Sequence, residues 1–149
     1  MCTITLATNI DAKEIASLSR TLIEYGLRSK YTEKKIKALI RHESTNVAVA
    51  KHNDKLIGFG IMSYGESHAN LDLLATRKES QGKGVAGKIV KWLELVALNA
   101  GISHVGVQAR ETNTRGVNFY LNLGYKKCGL TQHVYGTESQ IRMEKKLWQ

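Results

Sequence analysis

The spacing of apolar residues changes period several times along the chain. Thr3 to Ala7 alternates β-branched and apolar residues, which predicts a first strand. Ile15, Leu18, Leu22 and Ile23 then recur at helical spacing, predicting a helix to about Arg28 with Asn9 or Asp11 as its cap. A second, short helix is predicted from Thr32, with Ile36, Leu39 and Ile40 as its apolar face and Glu33 in its first turn. The period then drops to two. Asn46 to Lys51 and Leu56 to Tyr64 predict a hairpin across the Asn53-Asp54 turn, and Ala69 to Thr76 predicts the next strand after Gly65-Glu66-Ser67.

From Gly84 the helical period returns. Val85, Ile89, Leu93, Val96 and Ala100 share one face, Lys88, Lys91 and Glu94 fall on the predicted surface, and Gly101 stops the helix. A strand over Val105 to Ala109 and a short helix over Thr114 to Leu123 come next. Tyr125 to Thr131 and Gln140 to Leu147 predict an antiparallel pair across a turn at Gly136. The order β-α-α-β-β-β-α-β-α-β-β predicts an α/β (α+β mixed) fold: a mixed sheet of 6–7 strands with four helices, one domain over residues 1–149.

Composition narrows the class. At 42% hydrophobic residues in 149, a globular chain with a real core is expected. No apolar run approaches the ~20 residues of a membrane span. Met1 to Ile10 lacks the basic and apolar regions of a signal peptide. Cys2 and Cys128 sit in no CxxC and beside no histidine, so free thiols in a cytoplasmic protein are expected, with no metal. The net charge is +9, but Lys34, Lys35, Lys37, Lys126, Lys127, Lys145 and Lys146 are spread, without interleaved aromatics. That suits a solvated basic surface or a polyanionic cofactor better than nucleic acid.

The most informative stretch is Gln81-Gly82-Lys83-Gly84-Val85-Ala86-Gly87, between a predicted strand and a predicted helix. Helix starts present unpaired N–H groups and a positive dipole end, and glycines admit a pyrophosphate close to the backbone. Gly82, Gly84 and Gly87 satisfy G-x-G-x-x-G, but Arg77 to Gln81 separate strand from glycine and the element order is not doubly wound. A Walker loop is absent.

Gln81-Gly82-Lys83-Gly84-Val85-Ala86 resembles the Q/R-x-x-G-x-G/A signature of the GNAT superfamily of N-acetyltransferases. Downstream, Asn113 and Phe119-Tyr120-Leu121-Asn122-Leu123-Gly124-Tyr125 resemble that family's N…FY-x-x-LGF block, at the family's spacing. The resemblance implies acetyl-CoA as co-substrate and a splayed sheet. The strands ending near Thr76 and over Val105 to Ala109 would part around the pantetheine arm. It implies that the backbone of Gln81 to Gly87 binds the pyrophosphate, with Lys83 and Lys88 adding charge where they are not merely solvated. Leu74 and Thr76 would face the acetyl-pantetheine, Asn113 would contact the CoA arm, and Tyr120 would protonate the departing sulfur. The family's proline three residues before the glutamine is Lys78 here.

Acetyl transfer needs a neutral amine, hence a base. Asp72 on the central strand is the base expected here, with Glu66, His68, His133 and Tyr135 as other candidates. Val107-Gln108-Ala109-Arg110, Tyr135-Gly136-x-Glu138 and Met143 look like the ribosomal-protein-alanine N-acetyltransferase branch, which acetylates protein N-termini. That branch has a glutamate where this chain has Gln108, whose amide cannot take up a proton. Three readings remain: an N-acetyltransferase acting on a protein N-terminus, one acting on a small amine such as a polyamine, amino acid or aminoglycoside, or a non-catalytic CoA- or nucleic-acid-binding module. The late hairpin offers an edge for a homodimer.

Overall fold

The computed structural model describes residues 2–22, 31–131 and 139–148. Strands β1 (Thr3–Leu6), β2 (Thr45–His52), β3 (Lys55–Tyr64) and β4 (His68–Thr76) are antiparallel neighbours. Asn53 and Asp54 turn the β2–β3 hairpin with φ of 51° and 65°, the left-handed pair a tight hairpin needs. β5 (His104–Arg110) lies parallel to β4, so the chain must cross over between them, and helix α3 (Val85–Asn99) makes that crossing. β7 (Gln140–Lys146) inserts between β5 and β6 (Lys126–Thr131), antiparallel to both. The sheet order is β1-β2-β3-β4-β5-β7-β6, the mixed sheet expected from the element order. Gly136, the expected turn between the last two strands, lies outside the described residues. Among the described residues no helix is long and apolar enough to cross a membrane.

Two cores sandwich the sheet. α1 (Ala12–Leu22) and α2 (Glu33–Arg41) cover one face, where Ile15, Ile36, Val47, Val49, Phe59 and Ile61 are buried together. α3 covers the other, with Ala48, Ala50, Met62, Ile89, Leu93 and Val105. Successive β2 residues therefore serve opposite cores, the period-two signature of a strand covered on both sides. Gly60 sets the approach of α3: a Cβ there would stand 2.8 Å from Ile89 Cγ2 and 3.0 Å from Leu93 Cδ1.

Three local expectations are corrected. The start of α1 is organised by Thr8, whose N–H donates to the Asp11 carboxylate at 2.9 Å across a short 3-10 turn. Asp11 is thus the return arm of the cap rather than the cap, and it is buried against Lys51 at 2.9 Å. The buried stripe of α3 runs through Val85, Ile89, Val90, Leu93 and Ala97, while Ala100 is exposed. Glu94, expected on the surface, is only 8% exposed. It accepts from the Tyr125 hydroxyl at 2.8 Å and from Lys145 Nζ at 3.0 Å. Those partners lie 31 and 51 residues away, beyond the reach of a helical pattern.

Two features of β4 shape the space beside it. First, it pairs with β5 only over His68–Leu71 against His104–Val107. Beyond Leu71, β4 keeps β3 as a partner and β5 keeps β7, so the sheet splays. Second, Leu73 pairs with Ile61 and Leu71 with Met62, which leaves Asp72 as one extra residue in β4. This bulge reverses the side-chain faces relative to the residue count. Ala69 and Leu71 join the α3 core, whereas Leu73 and Ala75 join the α1–α2 core.

Candidate active site

The splay opens two adjoining clefts. One, of about 550 Å³, is lined by Thr76, Ser80, Gln81, Gly82, Gly84, Val85, Ala86 and Gly87 with Arg115, Gly116 and Phe119. Gly82 and Gly84 take φ of 76° and 81°, a region that L side chains resist. Gly84 caps α3, so the amides of Val85, Ala86 and Gly87 have no carbonyl of their own helix to bond. A Cβ on Gly82, Gly84 or Gly87 would meet nothing within 4 Å, so the backbone there faces open space. The turn is tied without the family's proline. Gln81 Nε2 donates to the Thr76 carbonyl at 3.0 Å, and Gln81 N donates to Lys78 O at 3.2 Å across the 3-10 turn Lys78–Ser80.

The Thr76 hydroxyl is buried and has no hydrogen-bond partner among the described residues. The β5-facing edge of β4 beyond Leu71 likewise pairs with no strand among the described residues. An extended, amide-bearing arm fits such an edge as an added strand would. The glycine turn, two helix starts and Arg115 suit a polyphosphate. Lys83 stands in the same turn, exposed, and neither it nor Lys88 is among the cleft-lining residues.

Four residues line both clefts: Leu22, Leu74, Asn113 and Tyr120. Asn113 caps α4 (Thr114–Asn122), its Oδ1 accepting from Gly116 N at 3.0 Å. Its carboxamide NH₂ remains as the donor for a ligand. Tyr120 is packed edge-on between Phe119 and Tyr125, at centroid distances of 5.0 and 5.6 Å. Burial pushes its hydroxyl up to about 12, so it keeps its proton at neutral pH. Tyr125 is raised further by burial and by the Glu94 carboxylate it donates to. That bond, with Lys145 on the other carboxylate oxygen, fixes the ring on which Tyr120 rests.

The second cleft, of about 1080 Å³, is lined by Tyr31, Lys35 and Leu39 beside α1, by Asn70 to Leu74, by Val107 to Arg110, and by Thr112 and Gln140. Asp72 reaches it because the bulge turns that carboxylate out of both cores. Asn70 Nδ2 donates to Asp72 Oδ1 at 2.6 Å. Gln108 lines the same cleft. Glu66 and His68 lie toward the other end of β4 and line neither cleft, and His133 and Tyr135 fall outside the described residues. Sequence reasoning missed Arg115, Ser80, Arg110 and Lys35 as cleft residues. A signal existed for Arg115, which is two residues past Asn113 at a helix start.

Residues 12–125 match the model of the acetyltransferase (GNAT) family. The chain belongs to that family. A curated relative, an uncharacterized N-acetyltransferase of Methanocaldococcus jannaschii, is 28% identical over 103 residues, covering 66% of this chain and 65% of that protein. Two solved structures share the fold closely. The ribosomal-protein-S18-alanine N-acetyltransferase of Escherichia coli superposes with a TM-score of 0.87 at 18% identity, over 100% of this chain and 96% of that one. An aminoglycoside 6'-N-acetyltransferase complexed with coenzyme A gives 0.85 at 16%, over 99% and 98%. At such identities these likenesses carry the fold. Membership carries the enzyme class, an acetyl-CoA-dependent N-acetyltransferase, and the glycine-lined cleft of this GNAT chain presents the amides of a helix start, donors suited to phosphate.

Proposed function

We propose that residues 1–149 form one acetyltransferase domain that acetylates the primary amine of a peptide or protein N-terminus. The observation that carries it is the pair of clefts meeting at Tyr120, Asn113 and Leu74. Acetyl-CoA supplies the acetyl group as a thioester. The amides of Val85 to Gly87, with Gly82, Gly84, Gln81 and Arg115 around them, hold its phosphates. Leu74, Thr76 and the unpaired edge of β4 orient its arm. Tyr120 holds a proton for the leaving sulfur. Asp72 takes the proton of the incoming ammonium, directly or through water, and Gln108 contributes only hydrogen bonds.

Charge favours a peptide over a polycation. Among the described residues of the larger cleft, Lys35 and Arg110 stand against the single carboxylate of Asp72. An acceptor carrying several ammonium groups would meet two like charges, whereas a peptide brings one ammonium and a row of carbonyls for those donors. The test is thiol release from acetyl-CoA with free-N-terminal peptides, N-blocked lysine peptides, polyamines and aminoglycosides side by side. The free-N-terminal peptides should show the highest kcat/KM. An aminoglycoside or polyamine turned over faster than every peptide would replace this reading with the small-amine one.

A further inference from the structure

At the far end of β4 from the clefts, the sheet carries an unassigned cluster. His68 on β4 and His104 on β5 are direct partners in the parallel pairing. Their rings stack with centroids 4.8 Å apart and planes 10° from parallel. Glu144 on β7 comes within 3.9 Å of His104 Nε2. One ligand atom from each of the three lies within 4.8 Å of the others.

Polar groups stand beside both rings. The Ser103 hydroxyl lies 3.1 Å from the Ser67 carbonyl and 2.7 Å from His104 Nδ1. His104 Nε2 is the nitrogen facing Glu144. On the other ring, Ser67 Oγ lies 3.0 Å from His68 Nδ1. A serine hydroxyl beside Nδ1 of each histidine is the kind of polar support that metal-ligating histidines commonly have.

We propose that His68, His104 and Glu144 bind a divalent transition-metal ion, zinc above all, which clamps the joint of the splayed sheet. Two imidazoles and a carboxylate, with solvent in the fourth position, make a tetrahedral zinc set. Ligand distances near ~2.0–2.2 Å require the three groups to close by roughly 1–2 Å and the two stacked rings to turn out of parallel so that their in-plane lone pairs converge, movements open to side chains at least partly in solvent. The location gives the ion a role. Only four residue pairs join β4 to β5, and the His68–His104 pair is the outermost. An ion there ties β4, β5 and β7 together across the joint that the clefts pull apart. Lys126 pairs in register with Glu144 and Lys146 with His104, so the affinity should be modest.

The test uses the full chain free of any histidine tag. At a hundredfold excess over the dissociation constant, Zn²⁺ should raise the melting temperature by about 5–10 °C. Co²⁺ should bind one to one with the strong visible bands of tetrahedral coordination. Both effects should vanish in His104→Ala and in His68→Gln, and Glu144→Gln should weaken Co²⁺ binding about tenfold. His68 is exposed, so H68Q keeps the test open even where H104A fails to fold. His52→Ala should change nothing. Absent Co²⁺ bands with an unmoved melting temperature would overturn the proposal, as would effects of equal size in H68Q.

Discussion

The two clefts are neighbours but are built differently. The smaller draws its glycine turn from one contiguous run, Ser80 to Gly87, and offers a ligand the backbone amides of a helix start. The larger is assembled from α1, α2, β4, β5 and β7 and offers a ligand mainly side chains. A backbone site depends on conformation, and conformation leaves a local mark: glycines where φ is positive, then a helix. A side-chain site depends on which distant segments meet, and that leaves no local mark. One face of the enzyme is therefore readable as a motif, and the other only as a shape.

Substitutions can separate the two. The largest effect should come at their junction. Tyr120→Phe should lower turnover by about 100-fold or more while leaving acetyl-CoA affinity within about twofold by calorimetry. Unchanged turnover would remove the hydroxyl from the chemistry. Asp72→Asn should cost the acceptor side alone, about 10- to 100-fold in kcat/KM for the amine with the KM for acetyl-CoA intact. A matching rise in both KM values would mean that the two clefts are not independent.

On the donor side, Gly84→Ala puts a Cβ on a residue at φ 81° and should weaken acetyl-CoA binding about tenfold, with the amine KM unmoved. Gly60→Ala touches neither cleft. Steady-state kinetics should hold while overpacking against Ile89 and Leu93 costs about 1–3 kcal/mol, read as a lower melting temperature. The smallest effect concerns pH. The folded Tyr120 hydroxyl is raised from 10.0 to about 12, so its contribution to stability is fully present below pH 10 and is lost as pH rises toward 12. The melting temperature should therefore begin to drop above about pH 10, less steeply in Tyr120→Phe. An identical profile in the variant would assign the drop to other groups.

The elements were legible because periodicity is local: among the described residues seven strands and four helices lie where the apolar spacing put them, the expected stretch of α1 from Ile23 to Arg28 lying outside those residues. Gln81 to Gly87 and Tyr120, which line the smaller cleft with the exception of Lys83, were legible as contiguous motifs. Glu94 was not, since its burial is decided by Tyr125 and Lys145. Arg110 and Lys35 were not, since only the tertiary fold brings β5 and α2 to one cleft. Asp72 was found as a charged residue among apolar ones, but the reason it reaches the cleft, a missing partner on β3, was invisible in the chain itself.

That missing partner makes β4 a strand with a change of parity. Up to Leu71, odd-numbered residues serve the α3 core, and from Leu73 they serve the α1–α2 core. The strand is thus one residue longer than its ladder with β3 requires. In a chain one codon shorter at position 72, Leu71 and Leu73 would be consecutive, and each could keep its present partner and its present core. Removing Leu73 instead would draw Asp72 into the ladder opposite Ile61 and carry a carboxylate into the α1–α2 core. For anyone redesigning the acceptor side, position 72 is where β4 can change length without exchanging its two faces.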